Sequence, residues 1–244
     1  MPLFRSSNPC AGGYLDGPDL KLTHLGYKLP YMLHVNVFLV SPIQENTYIV
    51  YNDENQCMIV DPGCYHEHER QMVARYILDK QLKPVLLVNT HGHLDHVFGL
   101  DFIARTYQLT PHIHPLEKPV LDYAPVSGLM WNLPFDAWTG PVQDLVAGEP
   151  LFLGNDRMEI LFTPGHSPGS VSIYAPTEGF VLGGDVLFRE SVGRTDLPGG
   201  DPAVLARSIR EVLYRLPDST RVLSGHGPET TIGWEKAHNP YVPA

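Results

Sequence analysis

Three imidazoles and a carboxylate fall within six residues of the segment Thr90-His91-Gly92-His93-Leu94-Asp95-His96. Imidazole and carboxylate donors suit a borderline cation such as Zn²⁺, and a site without thiolates that keeps a position for water is catalytic in type rather than structural. In an extended chain His91 and His93 face one point, while Asp95 and His96 turn toward a second. Two adjacent cations are therefore feasible, but one segment cannot close both sites. Three further donors each follow an apolar run: His166 in Thr163-Pro164-Gly165-His166-Ser167-Pro168-Gly169, Asp185 in Gly183-Gly184-Asp185, and His226 in Ser224-Gly225-His226-Gly227-Pro228. The flanking glycines let the backbone turn the side chain inward. Singly, each reads as a turn residue; together they point to a metal centre, with Asp185 of the type that bridges two cations. Asp61, in Asp61-Pro62-Gly63, is a candidate partner for a ligand histidine, and reads equally as a strand-ending turn. His112 and His114 copy a ligand spacing but sit before Pro115 and read as packed or exposed. His24, His66 and His68 read as surface.

The elements that must position these donors follow from periodicity. Strands are expected at about 35–40, 46–50 and 58–60, a helix at about 67–80 with Met72, Val73, Tyr76 and Ile77 on one face, and a buried strand at 85–88. A helix over about 97–107 and a strand near 112–114 come next. Residues 115–150, rich in Pro and aromatic side chains, read as a long site-lining connection. Tyr123, Trp131, Phe135 and Trp138 in it either roof the pocket or pack on the body. Strands at about 158–162, 170–174 and 180–182, a helix at about 202–215 and a strand at 221–223 complete the second half. Two β-rich halves, each with helices, predict two packed sheets with helices outside. Residues 1–31 read as an irregular arm and 32–244 as a single domain.

Composition narrows the function. The 244 residues are 43% hydrophobic and 18% charged, with a net charge of -10. That balance fits a globular protein and disfavours nucleic acid or anionic membrane, both of which reward clustered Lys and Arg. A small-molecule substrate is expected. Cys10, Cys57 and Cys64 match neither a disulfide framework nor a CxxC zinc site, so a reducing cytoplasm fits. No signal peptide or spanning segment is indicated.

The order HxHxDH, then His166, Asp185 and His226 after successive strands, resembles the metallo-β-lactamase superfamily, over roughly residues 35–240. The resemblance implies an α/β fold of the αββα sandwich type, two mixed sheets flanked by helices. It implies one metal held by His91, His93 and His166 and a second by Asp95, His96 and His226, with Asp185 bridging. Two divalent ions are implied, zinc first, with iron or manganese as alternatives. Within the superfamily, Thr163–Gly169, Gly184-Asp185-Val186-Leu187-Phe188, Gly193-Arg194-Thr195-Asp196 and Gly225-His226-Gly227-Pro228 resemble short bacterial members of the glyoxalase II, or hydroxyacylglutathione hydrolase, branch. That branch cleaves thioesters.

Departures bear on the thiol carrier. Full-length members grip glutathione through a C-terminal helical domain, whereas 18 residues follow His226 here. Where they place a Lys and, two residues on, a Tyr, this chain has Arg194 and Asp196; where they have a Tyr two residues after the last metal-binding His, it has Pro228. Arg194 is the candidate for a substrate carboxylate, or pairs with Asp196. The expected reaction is attack of metal-bound hydroxide on a thioester carbonyl, with Asp95 orienting the water. Gly193-Arg194-Thr195-Asp196 also resembles persulfide dioxygenases, in which one iron would take His91, His166 and Asp185. A binding protein that keeps the fold without catalysis is the third possibility.

Overall fold

The computed structural model describes residues 32–244; the expected arm over 1–31, with Cys10 and His24, lies outside them. Strand β1 (His34–Val40) buries Phe38 and Val40 and exposes Val37 and Leu39, the period of two of a half-covered strand. It pairs antiparallel with β2 (Glu45–Tyr51), which pairs antiparallel with β3 (Gln56–Val60). Helix α1 (Glu67–Asp79) then crosses over to β4 (Lys83–Val88), parallel to β3. After α2 (Leu94–Val97) and α3 (Leu100–Tyr107) come the short parallel strand β5 (Pro111–Ile113), helix α4 (Lys118–Met130) and β6 (Gln143–Asp144), which closes a six-stranded sheet in sequential order.

A second six-stranded sheet holds β7 (Pro150–Leu153), β8 (Asp156–Phe162), β9 (Val171–Ala175) and β10 (Phe180–Gly184) as an antiparallel run. The hairpin of β11 (Leu187–Phe188) and β12 (Ser191–Val192) and helix α5 (Pro202–Glu211) follow. Strand β13 (Arg221–Ser224) lies parallel to β10 and pairs with β14 (Thr230–Thr231), and α6 (Ile232–His238) comes last. Strands β9 and β10 are buried along their whole length, as central strands covered on both faces must be.

Three apolar clusters define the layers. Val50, Met58, Val60 and Val88 of the first sheet meet Met158, Ile160, Ile173, Phe180 and Leu182 of the second. Val73 and Ile77 of α1 and Ile103 of α3 cover the outer face of the first sheet with Ile59 and Leu87. Leu205 and Ile209 of α5 cover the second, against Val181 and Val222. The architecture is an αββα sandwich of two mixed sheets, and the described residues fall in one compact unit.

Three local expectations change. The connection over 115–150 contains α4 and β6 and is not structureless: Pro119 sits in the first turn, where its missing N–H costs nothing, and helical packing tolerates the internal Pro125. The helix expected over 97–107 is two helices, broken at Gly99, whose N–H donates to Pro62 O and where a Cβ would run into Cys64 Sγ. The helix expected over 202–215 ends at Glu211, and a 3₁₀ turn at Leu213–Arg215 follows.

Candidate metal centre

Strands β3, β4, β8, β10 and β13 all run in one sense and present their carboxyl ends at one edge of the sandwich. Each candidate donor follows one of these ends: Asp61 after β3, the His91–His96 segment after β4, His166 after β8, Asp185 after β10 and His226 after β13. Donor atoms of His91, His93 and His166 lie within 4.8 Å of one another, and so do those of Asp95, His96 and His226. Between the two groups sits Asp185. Its Oδ1 is 3.3 Å from His96 Nε2, and its Oδ2 is 3.5 Å from His166 Nε2 and 3.6 Å from His226 Nε2.

Neighbouring groups fix which ring nitrogen faces inward. His166 Nδ1 lies 2.7 Å from the Arg194 carbonyl and His226 Nδ1 lies 3.0 Å from the Gln44 carbonyl, acceptors that require N–H on those atoms and leave each Nε2 lone pair to the centre. His96 presents Nδ1 to Asp61 Oδ2 at 3.1 Å. Asp61 also accepts from the Thr90 N–H at 2.7 Å and the Thr90 hydroxyl at 2.6 Å. The same hydroxyl lies 3.1 Å from His91 Nδ1. Asp61 thus backs the donor segment from behind. Asp61, His91 and His96 could also form a three-donor group, although the Asp61 oxygens already have these partners.

The donors fit a cation. His93 Nδ1 and His166 Nε2 lie 2.8 Å apart, and His91 Nε2 and His166 Nε2 3.2 Å, a convergence of three ring nitrogens on one point that suits a cation. His96 Nε2 and Asp185 Oδ1 are buried without a hydrogen-bond partner among the described residues. Burial, then His96 and His93, holds the His91 imidazole well below its usual range, and burial with His166 pushes His93 down to about 3. Both are therefore neutral, as ligands must be. At the second group burial opposes the charged imidazole, but Asp185, Asp95 and Asp61 outweigh it and raise His96; Asp95 and Asp185 likewise raise His226. Burial also opposes the Asp95 and Asp185 charges, yet His96 and the other histidines keep both carboxyls below the usual range.

Other expected residues fall as follows. Arg194 lines the cavity but gives its guanidinium to Asp196, with two contacts of 2.7 Å, and lies over the Trp131 ring. Trp131 lines the same cavity, whereas Phe135 and Trp138 pack on the core. His112 bonds the Leu87 carbonyl and His114 caps a 3₁₀ turn, both away from the donor groups.

Two carboxylates at the site carry no sequence signal. Glu117 is fully buried, and it accepts from Gly92 N–H at 2.8 Å through Oε2 and from Gly169 N–H at 2.6 Å and the Ser167 hydroxyl at 2.5 Å through Oε1. One side chain thereby ties the His91–His93 loop to the His166 loop. Glu45, also fully buried, accepts from Thr47 and points Oε1 toward His96 Nδ1 at 3.8 Å. Asn46 beside it donates to the Ser224 and Gly227 carbonyls and so holds the His226 turn.

Comparison with known proteins agrees with this geometry. A probable metallo-hydrolase of Bacillus subtilis is 41% identical over 204 residues, 83% of this chain and 94% of the relative. The hydroxyacylglutathione hydrolase GloC of Haemophilus influenzae is 35% identical over 218 residues, 86% of this chain and 98% of the relative. Two solved structures superpose with TM-scores of 0.77 at 37% identity: the BLEG-1 B3 metallo-beta-lactamase, covering 86% of this chain and all of that one, and TTHA1623 in a di-iron-bound form, covering 84% and 99%. Residues 40–226 match the family model of the metallo-beta-lactamase superfamily. The chain belongs to that superfamily, whose members include metallo-hydrolases.

Proposed function

We propose that residues 32–244 act as one catalytic domain that hydrolyses a thioester of the hydroxyacyl-thiol class, using two divalent cations. The observation that carries the reading is Asp185, set between two three-donor groups with its two oxygens turned to different histidines. His91, His93 and His166 would hold one cation and Asp95, His96 and His226 the other, with Asp185 shared. Zinc suits the nitrogen and oxygen donors, and TTHA1623 in its di-iron form supports iron as the alternative. Such cations, when bound, bring water to hydroxide near neutral pH and polarise a carbonyl oxygen.

The chain's own residues supply the rest. Asp95, whose Oδ2 lies 3.0 Å from His226 Nε2, would accept a hydrogen bond from the attacking water and fix its direction. A thiolate leaves without strong acid help, which agrees with a cavity lined by no lysine or tyrosine among the described residues. Arg194, at the cavity wall, is the group available to a substrate carboxylate once it exchanges Asp196 for it. Similarity to GloC along nearly its whole length supports thioester hydrolysis.

Metal analysis of the native protein together with assays on S-lactoylglutathione, a β-lactam and a persulfide tests the reading. About two cations per chain and thioester hydrolysis that a chelator abolishes and metal restores are expected. A fully metallated protein that leaves thioesters intact overturns it. One iron per chain with oxygen uptake on the persulfide would establish the dioxygenase instead.

A further inference from the structure

A second cavity, of about 610 Å³, opens beside the metal-centre cavity of about 380 Å³. The two share His93, Leu94, Ser127 and Leu197, so a ligand whose reacting carbonyl sits at the donor groups has the second cavity directly beside it. Val120, Tyr123 and Ala124 of α4 form one side, and Pro168, Leu197 and Pro198 the other. No Asp, Glu, Lys or Arg lines it among the described residues. Its size is that of a small-molecule site, and its polar side chains are few: His93 and Ser127 on the wall shared with the metal centre, and Tyr123, whose hydroxyl is turned to Met130 Sδ at 3.5 Å.

The second cavity offers an anionic occupant no cation among the described residues. A thiol carrier with free carboxylates needs paired cations, because a buried unpaired carboxylate is costly. Arg194 supplies the guanidinium on the neighbouring cavity among the described residues, and it meets a substrate carboxylate there only by giving up its two hydrogen bonds to Asp196.

We propose that this cavity receives an uncharged aliphatic or aromatic arm of the substrate, so that the enzyme prefers thioesters with an apolar group over conjugates held by their carboxylates. The inference rests on the thioesterase reading and specifies its substrate class. The reaction balances as simple hydrolysis: the water oxygen bonds the acyl carbon, the carbon–sulfur bond breaks, and the thiolate takes a proton.

Two neutral series locate the arm: N-acetylcysteamine thioesters from acetyl to octanoyl, and acetyl thioesters of ethane- to octanethiol. In one series kcat/KM rises about fourfold per methylene until the cavity is filled, the gain expected for burying one CH₂, and its best member exceeds S-lactoylglutathione. Val120→Asp, folded by circular dichroism and melting, flattens that slope, while Val120→Leu keeps it. Binding of S-alkyl-N-acetylcysteamine thioethers, measured by calorimetry on metal-free protein, strengthens with chain length and carries a negative heat-capacity change.

Hydrolysis indifferent to length in both series overturns the proposal and leaves the thioesterase reading standing. Length-dependent thioether binding by a metallated protein that cleaves no thioester sinks that reading and keeps the cavity assignment. Thioethers that fail to bind, or a folded Val120→Asp variant that keeps the slope, overturn the assignment.

Discussion

Glu117 gives the two loops that carry His91, His93 and His166 a common partner, which makes it the residue whose loss most directly loosens one donor group. Burial raises its carboxyl above the usual range while the three donors pull it back down. Glu117→Ala strands three buried donors, each costing about 1–3 kcal/mol. A lower melting temperature is expected, with metal affinity at the His91 group reduced about 10–100-fold, as for other groups that orient ligands. Chelator competition measures this, and unchanged affinity in a folded variant removes Glu117 from the site. Two buried thiols mark the opposite case, side chains with no chemistry at neutral pH. Burial pushes Cys57 and Cys64 up to about 12. An unfolded thiol titrates near 8.5, so from about pH 8.5 to 12 the folded state keeps protons that the unfolded state gives up, and stability falls as pH rises. Native protein at pH 8 should leave both unalkylated by peptide mass mapping, and the alkaline loss of stability should be shallower in Cys57→Ala. The candidate donors were legible because His91, His93, Asp95 and His96 cluster after an apolar run, while His166, Asp185 and His226 each follow one beside a glycine. Glu45 and Glu117 were not, since a lone Glu in a mixed segment looks like solvated surface until its burial is known.

At the scale of elements, the strands were readable because their periodicity matches the layers they enter: alternating in β1, continuous in β9 and β10. Helix α4 escaped because Pro119, Pro125 and Gly128 are local breakers, and the packing of Leu121 and Ala124 on the core outweighs them. That omission concealed the wall of the apolar cavity. The β11–β12 hairpin carries a sharper constraint. Gly193 follows β12 where a Cβ would run into the Asp185 carbonyl and come within 3.1 Å of His166 Nδ1. Backbone cannot yield there as a flexible side chain would, so Gly193→Ala must displace Asp185, His166 or both. The variant should stay folded, lose bound metal at both groups and fall at least about 100-fold in hydrolysis, the scale of a misplaced reacting group. Metal counting on the purified variant reads this directly. Full metal content and normal turnover would mean that the hairpin shifts without disturbing the donors.

Across the whole molecule, the donors come from both layers of the sandwich. Asp61 and the His91–His96 segment follow strands of the first sheet, and His166, Asp185 and His226 follow strands of the second. The two-sheet arrangement could be inferred from two β-rich halves, but its αββα form came through the resemblance, because pairing order between distant strands leaves no periodic trace. Bound cations would join the layers at one edge, where ring nitrogens from both sheets converge and His96 Nε2 and Asp185 Oδ1 have no hydrogen-bond partner among the described residues. Binding that requires both layers in place stabilises only the folded state, by about 2.7 kcal/mol when free metal is a hundred times its dissociation constant. For a chain of this size each kcal/mol moves the melting temperature by about 2–4 °C. Chelation should therefore lower it by about 5–10 °C relative to zinc-saturated protein, and the shift should shrink in His91→Ala and His226→Ala, which remove a donor from each layer. The measurement is differential scanning calorimetry with and without chelator; a melting temperature indifferent to metal would mean that the donors are not bridged across the sheets.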